Sequence, residues 1–191
     1  DAPALVKARD TVQAELPPLK LERARFITEI QTDEASRDPR GFERVEFWAQ
    51  TNPGSGAGPL MKVASGGELS RFMLALKVVL ADKGSAPTLV FDEIDTGVGG
   101  AVADAIGQRL SRLSCKVQVM AVTHAPQVAA RAESHFLIAK ESVHGSERVA
   151  TRVVPLDDGP RREEIARMLS GAEITEEARA AAARLLEASA P

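Results

Sequence analysis

The apolar positions of this chain change their period along its length, and the changes mark its elements. Leu5, Val12, Leu16 and Leu19 approximate a seven-residue repeat with Arg9 at a place where another apolar residue is expected, and Pro17-Pro18 ends that helix. Residues Ala24 to Gln31 and Phe42 to Thr51 are rich in β-branched and aromatic side chains and predict two paired strands about a polar turn, Asp33 to Gly41. Beyond Gly67, residues Leu69, Phe72, Met73, Leu76, Val79 and Leu80 fall at helical spacing and predict one buried face, ended by Asp82 to Pro87. Thr88-Leu89-Val90-Phe91 and Val117 to Val122 are continuous apolar runs, expected of strands covered on both faces in a parallel sheet. Between them a helix from about Gly100 to Leu113, with Val102, Ile106, Leu110 and Leu113 on one side, predicts a strand, helix, strand crossover.

Farther on, His135 to Lys140 and Arg148 to Leu156 predict a hairpin through Gly145. Helices over Arg161 to Leu169 and over Thr175 to about Ala188 close the chain, the second behind a threonine cap. No internal repeat is present. The order gives an α/β fold: a buried, mostly parallel sheet flanked by helices, with additional antiparallel strands.

The run Ala64-Ser65-Gly66-Gly67-Glu68-Leu69-Ser70-Arg71 places an amide-rich turn at the start of the best-supported helix. Two glycines let backbone N–H groups approach an anion closely, and the first helical turn adds roughly half a positive charge, so the expected ligand carries phosphate. The same residues also form a capping box, Ser65 with Glu68 three residues on, which in many helices serves only the helix's own amides. The glycine-rich stretch Asn52 to Pro59 has no Lys-Ser or Lys-Thr behind it, and no G-x-x-x-x-G-K-[ST] occurs anywhere.

Asp92 and Glu93 follow a buried strand, and His124 follows the next one. If the two strands are neighbours, their carboxyl ends share one edge, where open α/β sheets bind ligands, and Asp92, Glu93 and His124 converge there. An aspartate there suits a magnesium ion, and the next carboxylate suits orientation of an attacking water as general base. His124 fits a hydrogen bond to a terminal phosphate, or a satisfied histidine at a strand end. Asp95 opens Thr96-Gly97-Val98-Gly99-Gly100, a turn that fits an acidic contact across an interface or a plain change of chain direction.

Composition narrows the setting. With 191 residues, 44% of them hydrophobic, the chain builds one substantial core, and a net charge of -3 gives no global nucleic-acid signature. The single Cys115 excludes an internal disulfide, no Cys and His cluster has zinc spacing, and no apolar run reaches the roughly 20 residues of a spanning helix. A cytoplasmic setting is expected. The first residue is Asp1, and the chain reads as a piece of a longer polypeptide.

Together these residues resemble the carboxyl-terminal lobe of an ABC-type ATPase head, of the SMC-like kind that acts on DNA. Ser65-Gly66-Gly67-Glu68 is similar to the signature motif, Leu89 to Glu93 to the Walker B strand, Asp95 to the D-loop acid and His124 to the switch histidine. The likeness is strongest to the bacterial double-strand-break repair branch. It rests on Ala64 to Arg71, Phe91 to Gly100, Val122 to Ala130, and Glu164-Ile165-Ala166-Arg167-Met168-Leu169-Ser170-Gly171. Transporter ATPases usually carry Leu, Gln and Pro where this chain has Ala64, Glu68 and Ile94, which favours the SMC-like branch.

Residues 1–20 fit the stub of a coiled coil with its linker, or an ordinary terminal helix, and the resemblance implies that 21–191 are the lobe. It implies ATP and Mg²⁺ as cofactors, with Asp92 on the metal, Glu93 and His124 catalytic, and Ser65, Gly66, Gly67, Glu68 and Asp95 on nucleotide. An amino-terminal lobe of the same head would supply the phosphate loop, a second head would close across ATP, and DNA would be a further partner, with no membrane. The implied localisation is cytoplasmic and nucleoid-associated. A transporter energy-coupling lobe and a noncatalytic docking module are the competing readings. Arg37, Arg40, Arg44, Arg161 and Arg162 are assigned to solvated surface and not to DNA.

Overall fold

The first helix keeps its heptad-like spacing until proline removes the amide that would continue it. It spans α1 (Ala2–Glu15), followed by a single 3₁₀ turn at Pro17–Leu19. Val12, Leu16 and Leu19 are fully buried, so the end of α1 is seated on the protein rather than presented to solvent.

In a computed structural model that describes residues 2–32, 35, 42–81, 86–142, 149–171 and 173–189, the chain forms two units, Asp1–Val122 and Thr123–Pro191. The expected turn at Asp33 to Gly41 apart from Ala35, most of the break at Asp82 to Pro87 and the bend through Gly145 lie outside the described residues. No described helix is long and apolar enough to cross a membrane.

In the first unit, β1 (Arg25–Thr32) and β2 (Glu43–Gln50) pair antiparallel from Arg25↔Gln50 to Thr32↔Glu43, with the two-residue β3 (Gly58–Pro59) on the other side of β2. Partners in this register share a face, so Phe26, Ala49 and Phe47 lie together, with the Phe26 and Phe47 rings 5.4 Å apart. Gln13 of α1 fastens this sheet, donating to the Ala24 carbonyl at 2.8 Å and accepting from the Phe26 N–H at 2.9 Å.

A short helix, α2 (Leu60–Val63), leads into α3 (Gly66–Val79). Arg71, Phe72, Leu74, Ala75 and Leu76 form its buried side. Phe72 and Leu76 are where the periodicity puts them, but Met73 is exposed and Leu74 takes the inward position. The buried arc of α3 is thus wider than one apolar stripe and includes a cation.

The crossover forms as expected: β4 (Thr88–Phe91), α4 (Gly100–Ser114), β5 (Gln118–Ala121). The strands pair in parallel from Thr88↔Gln118 to Phe91↔Ala121, and the Val122 N–H extends the ladder to the Phe91 carbonyl at 2.9 Å. Burial on both faces does not occur. Phe91 is buried and Leu89 and Val119 half-buried, whereas Val90, Met120 and Val122 stand 65%, 54% and 52% exposed on the opposite face. The described elements of the first unit pack on one side of this pair, and an apolar run specifies that both faces need cover without specifying its source.

Glu15 ties the end of α1 to α4: it lies 2.8 Å from Arg109 Nη2 and accepts from Arg112 Nη2 at 2.8 Å. Burial raises the Glu15 pKa, but the hydrogen bonds and charges of these two arginines prevail and hold its carboxyl below the ordinary value.

The second unit contains α5 (Pro126–Ala130), the hairpin strands β6 (His135–Ser142) and β7 (Val149–Leu156), α6 (Asp158–Ser170) and α7 (Glu176–Glu187). β6 and β7 pair antiparallel from His135↔Leu156 to Ser142↔Val149. Ala129, Ala130, Ile165, Ala166, Ala178 and Ala182 make a small core, with Met168, Ile174, Leu185 and Leu186 against it. Arg161 sits beside α5, donating to the carbonyls of Ala129, Ala130 and Ala132. Helix α7 begins with Thr175, whose Oγ1 accepts from the Ala178 N–H at 3.2 Å. Thr175→Ala is expected to lower stability by about 1 kcal/mol, read from chemical denaturation followed by circular dichroism, while Thr175→Ser stays near the parent.

Candidate functional site

The glycine pair occupies the first two positions of α3, with Ser65 as its extended N-cap. The Glu68 carboxylate reaches back and accepts from both the Ser65 N–H, at 2.9 Å, and the Ser65 hydroxyl, at 2.7 Å. The bond from the Ser65 amide, aided by its hydroxyl and by Arg71, holds the Glu68 pKa down against a smaller opposing effect of burial. Glu68 is therefore an anion at neutral pH. Its bonds to Ser65 support the fold above the ordinary carboxylate range and are lost as pH falls through the lowered pKa.

Gly67 lies against the segment that follows β4. A Cβ there would lie 3.1 Å from Arg71 Nη1, 3.4 Å from the Thr96 carbonyl oxygen and 3.9 Å from that of Glu93. The amide-rich turn therefore backs directly onto the segment that follows β4. Two further contacts join them: Ser70 Oγ lies 3.5 Å from the Asp92 carbonyl, and Arg71 Nη1 lies 3.5 Å from that of Thr96. Arg71 is only 6% exposed. Burial pulls its pKa below the ordinary value, and the Glu68 charge offsets part of that effect.

The segment after β4 is a tight turn. Glu93 adopts a left-handed backbone conformation with φ 56°, and its carbonyl accepts from the Thr96 N–H at 3.2 Å. A non-glycine residue held there costs on the order of 1–2 kcal/mol. Asp92 and Glu93 are exposed, while Ile94 and Asp95 turn inward, Asp95 being 2% exposed. Of the three acids the sequence places here, the structure distinguishes two that face solvent, Asp92 and Glu93, from Asp95 inside the protein.

Ser65, Gly66, Gly67, Glu68, Asp92, Glu93 and Asp95 thus all belong to the first unit. His124 belongs to the second, exposed and two residues ahead of α5. Its neighbour Thr123 accepts the Ala125 N–H on Oγ1 at 3.0 Å. Among the described residues no group of three His, Cys, Asp or Glu side chains is arranged to hold a metal ion. A lone exposed aspartate fits a hard cation that takes its remaining oxygens from phosphate and water, and does not fit a protein cage.

Sequence reasoning missed Arg71 and Lys20. Arg71 was detectable as the fourth residue after Gly67, hence on the same helical face. Lys20, whose Nζ donates to the Gly97 carbonyl at 3.0 Å, gave no local signal, since its partner lies 77 positions away.

Known proteins resemble this chain along most of its length. The chain is 46% identical over 177 residues to the DNA repair protein RecN of Rickettsia conorii, covering 93% of this chain and 32% of that protein. It is 48% identical over 163 residues to RecN of Xylella fastidiosa, covering 85% of this chain and 29% of that protein. The chain thus spans about a third of the length of these relatives. The crystal structure of the Smc head domain with a coiled coil and joint from Pyrococcus yayanosii matches with a TM-score of 0.59 at 18% identity, over 87% of this chain and 30% of that one. That likeness is one of fold: an SMC-type head. No protein-family model matches the chain.

Proposed function

We propose that this chain, similar to RecN along most of its length, is the carboxyl-terminal lobe of an SMC-like ATPase head that acts in DNA double-strand-break repair. The observation that carries this reading is the packing of Gly67 against the Glu93 and Thr96 carbonyls. It makes the anion-binding turn and the carboxylate turn one body, as a lobe that touches nucleotide on two sides requires.

In this reading ATP binding closes two heads and hydrolysis reopens them. Ser65, Gly66 and Gly67 meet the terminal phosphate of ATP held mainly by the opposing head, with Glu68 shaping the helix start that presents them. Asp92 is the magnesium ligand, and Mg²⁺, when bound with ATP, neutralises phosphate charge. Glu93 accepts a proton from the attacking water, His124 supports the terminal phosphate, and Asp95 braces the turn that faces the nucleotide from within the lobe. DNA is the ultimate partner, and the setting is cytoplasmic and nucleoid-associated.

An amino-terminal lobe completes the head by supplying the phosphate loop that these 191 residues lack. The open face formed by Val90, Met120 and Val122 supports such a companion, since two parallel strands with an apolar face bare are part of a wider sheet. Residues 1–20 root a coiled coil on the lobe through Val12, Leu16 and Leu19.

The 191-residue chain alone is expected to show no ATP turnover above buffer, measured as phosphate release, and turnover is expected to appear on mixing with the amino-terminal lobe. Activity of the isolated chain that Glu93→Gln abolished would contradict the division of labour. A mixture that binds ATP yet never hydrolyses it would instead favour a docking module with nucleotide as a clamp.

A further inference from the structure

The 3₁₀ turn after α1 closes with a paired set of hydrogen bonds. The Leu21 N–H reaches the Leu16 carbonyl at 3.2 Å and the Lys20 N–H reaches the Pro17 carbonyl at 3.1 Å. This is the Schellman arrangement, and the residue at its left-handed position is ordinarily glycine. Here it is Lys20, with φ 59° and ψ 37°. Leu19 and Leu21 on either side are buried, while Lys20 is exposed, so no burial of its own stem accounts for a side chain at this position. The backbone cost of a Cβ is borne at a site where glycine would remove it.

The Lys20 side chain spans to the Gly97 carbonyl, 3.0 Å from Nζ. Gly97 is itself left-handed, with φ 70°. The carbonyl one residue earlier, that of Thr96, faces Arg71 Nη1 at 3.5 Å. Two consecutive carbonyls of the turn that begins with Glu93 are therefore held by two cations, one from α3 and one from the end of the amino-terminal helix. The Glu15 link to Arg109 and Arg112 fixes the same helix end to α4, which starts directly beyond the turn.

We propose that Lys20 is a positioning residue for the Glu93–Gly99 turn, transmitting the seating of the amino-terminal helix to the carboxylate that orients water. This inference rests on the assignment of Glu93 as general base. With the Lys20 clamp in place, the left-handed Glu93 backbone stays in the one arrangement that aims its side chain. Without the clamp the turn samples others, and the loss falls on hydrolysis more than on binding, because the Ser65–Glu68 helix start keeps its own capping box and Lys20 reaches only the far side of the turn, at Gly97.

The test uses the complete protein. Lys20→Gly removes the ammonium and relieves the strained backbone, so the melting temperature holds or rises while kcat for ATP hydrolysis falls about three- to tenfold with KM changing less, the loss expected of one hydrogen bond. Lys20→Arg restores kcat to near the parent value. Should Lys20→Gly lower the melting temperature, Lys20→Asn, which tolerates the left-handed conformation without a cation, decides by the same kcat reading. Parent-like kcat in the glycine and asparagine variants, with Glu93→Gln inactive, overturns the clamp and leaves the site assignment standing. Parent-like kcat in Glu93→Gln as well removes the assignment and the clamp together. A fall in kcat that Lys20→Arg does not restore also overturns the proposal, since a cation at this place would then not be the operative feature.

Discussion

Glu93→Gln in the complete protein is expected to lower ATP hydrolysis by about 10² to 10⁴, the range for loss of a positioned general base, while ATP-dependent association of heads persists. The expectation follows from the placement of Glu93. Its backbone is held in a strained conformation by a turn closed through the Thr96 N–H, and its side chain is exposed at the carboxyl end of β4. Strain retained at such a position has a use when the side chain must point in one direction. Glutamine keeps the size and the backbone preference of glutamate but cannot accept a proton from water, so binding and closure are spared. Single-turnover phosphate release, read beside light scattering of the ATP-bound state, separates the two steps. Hydrolysis within a few-fold of the parent would remove Glu93 from the chemistry and leave Asp92 or His124 to be tested for that role.

Much of the frame was legible because it depends on local periodicity. The helical spacing of Ile106, Leu110 and Leu113 in α4 returns as burial of those residues. The two strands expected over His135 to Lys140 and Arg148 to Leu156 return as an eight-residue antiparallel ladder. Ser65 and Glu68 form the capping box that their spacing specifies, since a box needs only residues three apart. What failed was cover. Val90, Met120 and Val122 read as core, and their faces are open, because an apolar side chain records a demand for a neighbour and not the neighbour's place in the chain.

The site was legible by type and not by depth. Asp92, Glu93 and Asp95 look alike in sequence, yet a left-handed backbone at Glu93 turns the chain so that Ile94 and Asp95 point inward while the first two acids stay in water. No spacing rule foretells a positive φ at glutamate. Spacing puts Arg71 on the face of Gly67, but neither its carbonyl partner nor that of Lys20 could be read, because carbonyls carry no sequence signal. Gly97 supplied a hint, since a glycine inside a turn marks backbone that must bend the rare way.

Ser65→Arg is the second large effect expected, a loss of ATP-driven head association of about ten- to a hundredfold, the equivalent of one charge-assisted hydrogen bond at an interface. Ser65 is exposed at the N-cap, its amide and hydroxyl both turned toward Glu68, and the two glycine amides follow directly. An arginine in its place fills the space a phosphate of the opposing head would enter, and it pairs with Glu68 instead. The substitution also removes a cap, worth about 1 kcal/mol, so a loss of association has to be separated from a loss of fold. Ser65→Asn makes that separation: asparagine caps as well as serine, and it should retain the parent melting temperature and much of the association. Ser65→Asp loses the hydroxyl bond to Glu68 and sets a second carboxylate beside it, so it should be less stable than the asparagine variant and, at temperatures where it is folded, associate as poorly as the arginine variant through repulsion of phosphate. Parent-like association in both the arginine and aspartate variants would show that this turn meets no anion. The capping box would then be all that Ser65 and Glu68 provide.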